Sequence, residues 1–191
     1  MIVACGGKTK TNINKVNYSP KFSSETVNRV AIINFSTGST VQQYDTGNIS
    51  NKFTAELVGS DIFALLDRSD VDKIMKEVGY QFKNVEIGLL SEETVSKLQQ
   101  LGADSILTGK LVSFEQNVVG NFVTYSKAHL TAKLLKIETG EVLWSSEMMK
   151  TSRGKLGKTE AEYAEELLSD IITKMSVPLK TESKFRRIIS R

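Results

Sequence analysis

A single cysteine, Cys5, excludes an internal disulfide. A single histidine, His129, excludes a metal site built on a histidine cluster. No run of about 18 apolar residues occurs, so the chain holds no segment that reads as a membrane-spanning helix. Nor does charge of one sign dominate. The formal net charge is +3, and the tail after Leu179 carries Lys180, Lys184, Arg186, Arg187 and Arg191 against Glu182, a net of +4. Residues 1–179 therefore sum to −1. A nucleic-acid binder needs a basic face on its folded body, and a basic tail argues against that partner. What remains is ordinary globular composition, 40% apolar and 25% charged over 191 residues, enough for one domain with a substantial core.

The stretch Leu101–Lys150 organises the rest. Ala128, Leu130, Ala132 and Leu134 alternate with Lys127, His129, Thr131 and Lys133. Side chains of a strand alternate between faces, so one face is apolar and the other wet. A three-residue loop, Glu138-Thr139-Gly140, puts Gly140 in the left-handed conformation and pairs Leu134 with Trp144 and Leu130 with Met148. The run Ser105–Glu115 is apolar on both faces, with Ile106, Val112 and Phe114 on one and Leu107 and Leu111 on the other. That pattern predicts a central strand.

Upstream, Val27–Phe35 reads as a buried first strand and Ile62–Leu66 as a second. Between them Ile49, Phe53 and Leu57 mark one face of a helix, so a right-handed parallel crossover is expected. Ser69 caps a helix to Val78, and Ser91 opens another whose apolar stripe is Val95, Leu98 and Leu101. Thr159-Glu160-Ala161-Glu162 is a capping box for an amphipathic helix ending before Pro178. The expected fold class is α/β: a mixed sheet of about five strands, a parallel β-α-β start followed by an antiparallel three-strand meander, with helices packed mainly on one face.

At the N-terminus, Ile2-Val3-Ala4-Cys5 resembles the end of a bacterial lipoprotein signal, with Cys5 as the lipidation site. A signal needs a charged start and a longer apolar stretch, so residues 1–4 read as the residue of a truncated signal. Residues 5–24 are polar and without period, and read as a flexible tether. Residues 25–179 then form the single domain and 180–191 a basic tail.

No catalytic constellation emerges. Gly38-Ser39-Thr40 lacks the upstream glycine and the lysine of a phosphate loop. Ser152-Arg153-Gly154-Lys155 fits a Ser-x-x-Lys nucleophile motif, but it falls in a glycine-containing loop without companion motifs. His129 lies on a polar strand face with no serine or carboxylate spaced to use it. Glu92-Glu93 and Glu165-Glu166 are neighbours on helices and do not converge. No metal and no cofactor is expected.

Four strings in order carry a resemblance. They are Val30-Ala31-Ile32-Ile33-Asn34-Phe35; Leu66-Asp67-Arg68; Leu101 to Gly109 (LGADSILTG); and Glu138 to Trp144 (ETGEVLW). Together they make residues 28–175 similar to the CsgG/LpoB-type bacterial lipoprotein superfamily. The resemblance implies a lipid-anchored outer-membrane domain facing the periplasm, without enzymatic activity, that binds an envelope protein and touches the membrane through lipid on Cys5. One branch of that superfamily activates a peptidoglycan synthase, and another forms the curli secretion pore. A spanning hairpin needs two strands of about 9–11 residues outside the domain. The connections Asn117–Asn121 and Thr151–Lys158 are too short for one, which implies a non-pore member. Self-assembly into a ring is the alternative expectation, and a nucleotide-binding domain or enzyme the remote one.

Overall fold

The computed structural model describes residues 10–23, 27–39, 41, 46–58, 63–78, 91–120, 122–154 and 157–189. Within them lie strands β1 (Lys10–Tyr18), β2 (Arg29–Ile32), β3 (Ser36–Thr37), β4 (Ala64–Leu65), β5 (Ser105–Val119), β6 (Phe122–Lys136) and β7 (Val142–Arg153). The helices are α1 (Thr46–Val58), α2 (Arg68–Glu77), α3 (Glu92–Gln100) and α4 (Glu160–Ile189). All seven strands join one mixed sheet in the order β1-β7-β6-β5-β2-β4, with β3 paired to β5. The α/β class and the mixed sheet are as expected; the strand count exceeds five because β1 and the short β3 carry little apolar signal.

The meander follows its alternation. Leu134 pairs with Trp144 and Leu130 with Met148. Gly140 has φ of 68° and donates its N–H to the Lys136 carbonyl at 2.9 Å, closing the expected loop. Strand β5 is central, antiparallel to β6 and parallel to β2. A bulge between Leu111 and Ser113 shifts its register. Phe114 therefore joins Leu107 and Leu111 on one face, not Ile106 on the other.

The larger core lies between one sheet face and helices α1 and α4. Trp144, Phe35, Phe53, Leu130 and Ile171 are all fully buried there, and the Phe35 and Phe53 rings stack at 5.1 Å. A smaller core covers the opposite face only at the parallel end, where Ala31, Ile33 and Ile106 meet Val71, Met75 and Leu98 of α2 and α3.

Three boundaries differ from expectation. Part of the stretch read as a tether is strand β1, which pairs with β7 from Lys10↔Thr151 to Tyr18↔Trp144. An edge strand needs only one apolar face, and Val16 and Tyr18 supply it against the larger core. Helix α2 is capped by Asp67, whose carboxylate accepts from the Ser69 N–H at 2.7 Å, so Ser69 is already inside the helix. Helix α4 passes through Pro178. Beyond it, Leu179 is buried and Lys180 Nζ donates to the Glu56 carbonyl at 3.0 Å. These contacts with α1 offset the roughly 3 kcal/mol that an internal proline costs.

Candidate functional site

The residues with chemical potential do not converge. His129 is half-buried and its Nε2 lies 2.9 Å from Glu147 Oε1 on the neighbouring strand, with no nucleophile beside them. Ser152 Oγ reaches only the carbonyl of Arg153, at 3.5 Å. Lys155, Thr40 and Cys5 fall outside the described residues. Gly38 donates its N–H to the Leu111 carbonyl at 2.8 Å, and a Cβ there would sit 2.2 Å from the Val112 oxygen, so it packs on β5 rather than lining a loop. Glu93 pairs with Lys97 at 3.5 Å, and Glu165 and Glu166 pair with Lys52 and Lys158. Among the described residues, no three histidine, cysteine, aspartate or glutamate side chains are placed to hold a metal.

The sheet instead presents a broad polar face. Register puts Lys127, His129, Thr131 and Lys133 of β6 on the side away from the larger core. Opposite Thr131 stand Lys110 of β5 and Glu147 of β7, and opposite Glu147 stands Lys15 of β1. Each of these side chains is half-buried or exposed, as a strand face beside solvent requires. Lys15 Nζ lies 3.7 Å from Glu147 Oε2, so one carboxylate serves both Lys15 and His129. Counting Glu115, which opposes Lys127, these side chains include four lysines against two glutamates. The face is rigid, since paired strands hold it from beneath, and it is basic.

The strand alternation made this face legible; a buried cation on the other side was not. Lys150 is 4% exposed, on the core side of β7, and pairs with Asp170 of α4. Burial pushes its pKa down to about 8, and the nearby Lys174 ammonium adds to the depression. The only sequence signal is its phase, two residues past Met148 on the apolar face.

The sequence model of a family described as peptidoglycan-synthase activator LpoB matches residues 10–149. No curated protein matches the chain. The PelC dodecamer from Paraburkholderia phytofirmans is similar in structure at TM-score 0.55 and 12% identity, covering 88% of this chain and 96% of that one. Lipoprotein GNA1162 from Neisseria meningitidis is similar at TM-score 0.55 and 15% identity, covering 78% and 97%. These two likenesses show a shared fold.

Proposed function

The chain belongs to the peptidoglycan-synthase activator LpoB family, and on that premise we propose that it binds a peptidoglycan synthase of the cell envelope and raises its activity from an outer-membrane anchor facing the periplasm. Membership of an activator family makes the chain a regulator of an envelope machine and not an enzyme. The family match over residues 10–149 carries this reading. Cys5 is the proposed lipidation site, supported by the Ile2-Val3-Ala4 that precedes it. The four strings that resemble the wider CsgG/LpoB-type superfamily support the same address.

The basic sheet face centred on His129 and Glu147 is the proposed docking surface. Its excess of lysine suits an acidic patch on the synthase, and paired strands present it without a backbone ordering cost. Crosslinking in envelope fractions, followed by mass spectrometry, tests the reading. It predicts a synthase crosslinked to Lys127 or Lys133 and a diacylglyceryl group on Cys5. An unmodified Cys5 removes the anchor, and crosslinks confined to other faces remove the docking surface. A ring of this chain is the rival reading, favoured by the dodecameric state of the PelC fold neighbour. Light scattering of the purified domain separates the two: a monomer supports the activator reading, a large defined oligomer the ring.

A further inference from the structure

Strands β5 and β6 overshoot the sheet. Their last rungs are Val118↔Val123 and Val119↔Phe122, beyond Tyr125↔Arg153, the outermost rung that β6 shares with β7. Val119 and Phe122 face each other across the hairpin, 61% and 57% exposed, and Tyr125 lies just below at 37%. Half of the six large apolar side chains exposed among the described residues sit on this one tip. Exposed apolar pairs of this kind mark a contact with something apolar.

Register says what lies on that side. Strand β1 runs antiparallel to β7 and begins at Lys10, level with Thr151 and Lys127. The chain therefore enters the sheet at the end from which the hairpin projects. Five residue-to-residue steps lead from Cys5 to Lys10, and five from Phe122 to Lys127. Both spans cover at most about 17 Å at roughly 3.3 Å per residue. A lipid on Cys5 is therefore within chain reach of the plane of the hairpin tip.

We propose that Val119, Phe122 and Tyr125 dip into the surface of the lipid bilayer that holds the Cys5 anchor, fixing the orientation of the domain as a second attachment point. The inference rests on Cys5 as the anchor. A diacylglyceryl group on Cys5 already supplies two chains, so the inserted apolar tip is not needed to hold the domain on the membrane; as a second contact point it sets the domain's tilt against the bilayer. Tyrosine suits the boundary between lipid and water, with an apolar ring and a polar end. Arg153, exposed opposite Tyr125, faces the headgroups. Glu115 and Glu160 are exposed at the same end as Lys127 and Arg153, so the charge there is mixed and apolar insertion supplies the contact.

The test couples the full chain through Cys5, its sole thiol, to a maleimide lipid in vesicles of phosphatidylethanolamine and phosphatidylglycerol. Phe122→Trp and Val119→Trp report on the tip. Val58→Trp, at the C-terminal end of α1 and 65% exposed, is the control. The unsubstituted chain gives the background of the buried Trp144. The tip indoles are expected to shift to shorter wavelength and to lose emission when brominated lipids are included, while the control indole does neither. If neither tip indole responds more than the control, the tip does not enter the bilayer. Chemical coupling makes this outcome independent of whether the cell lipidates Cys5, which mass spectrometry decides separately.

Discussion

Lys150 Nζ on β7 pairs with Asp170 on α4, and the lysine is 4% exposed while the aspartate side chain is 41% exposed. The lysine thus loses nearly all its water and the aspartate little of its own. Removing one partner of such a pair differs sharply from removing the other. Asp170→Asn leaves a buried ammonium beside Lys174 and should cost about 1–2 kcal/mol, less than the 3–5 typical of fully buried pairs because Asp170 is partly solvated. Lys150→Met keeps the stem's volume, removes the buried charge and leaves Asp170 with Lys174 at 3.4 Å. It should not lower stability at neutral pH. Urea denaturation of the two variants reads the contrast.

The depressed Lys150 pKa, about 8 against the usual 10.5, gives a pH dependence with a definite sign. Between those values the unfolded chain holds the proton more firmly than the folded one, so stability from this group rises with pH. Below about pH 8 both states are protonated and its contribution is flat. Wild type minus Lys150→Met, measured by urea midpoint from neutral pH to about 10.5, should show a climb confined to that window.

Gly109 on β5 has no room for a side chain: a Cβ would meet the Thr131 carbonyl at 2.0 Å and the Phe35 ring at 2.3 Å. Neither the backbone of β6 nor a ring stacked on Phe53 can yield cheaply. Gly109→Ala should destabilise the domain by about 3 kcal/mol, the upper end of ordinary overpacking, as a fall in thermal midpoint without change of secondary structure.

Asp104 shows why short strings resemble a family so well. Its Oδ2 accepts from the Asn28 and Arg29 N–H groups at 2.8 and 3.2 Å, and its own N–H donates to the Arg29 carbonyl at 3.0 Å. Arg68 likewise donates to the Ile32 carbonyl at 2.6 Å and to Asn34. The first three matching strings are joints between β2, α2 and β5, and the fourth is the turn from β6 into β7. Asp104→Ala should cost about 2 kcal/mol, the scale of lost hydrogen bonds to a charged group, checked by calorimetry.

Where local pattern and tertiary demand agree, the fold was legible. Gly140 closes its loop, Ser91 caps α3 at 3.2 Å to the Thr94 N–H, and Thr159 and Glu162 cap α4 reciprocally, at 2.7 and 3.3 Å. Where one residue's partner lies far along the chain, it was not. Strand β1 is lysine- and asparagine-rich, and only its pairing with β7 makes it a strand. Pro178 reads as a stop until Glu56 is seen holding Lys180. The bulge that turns Phe114 inward has no signature in a run apolar on both faces. For the candidate site, alternation exposed the lysines of β6, but Lys15 and Glu147 joined them only through strand order.

Charge reversal tests the docking face. Lys127→Glu with Lys133→Glu should weaken synthase binding at least about tenfold and reduce its salt sensitivity, since these cations supply the attraction to an acidic patch. Lys73→Glu on α2, at a side chain 70% exposed and outside the set of strand lysines that make this face, is the control. Titration at two ionic strengths reads both effects.

The most direct measurement is the rate of glycan-strand synthesis by the host's purified peptidoglycan synthases, with and without this protein. A rise in rate that saturates with added protein, and that Lys127→Glu with Lys133→Glu abolishes while the folded domain persists, is the result predicted. Rates unchanged for every synthase of the host, at concentrations far above those in the envelope, would contradict the account.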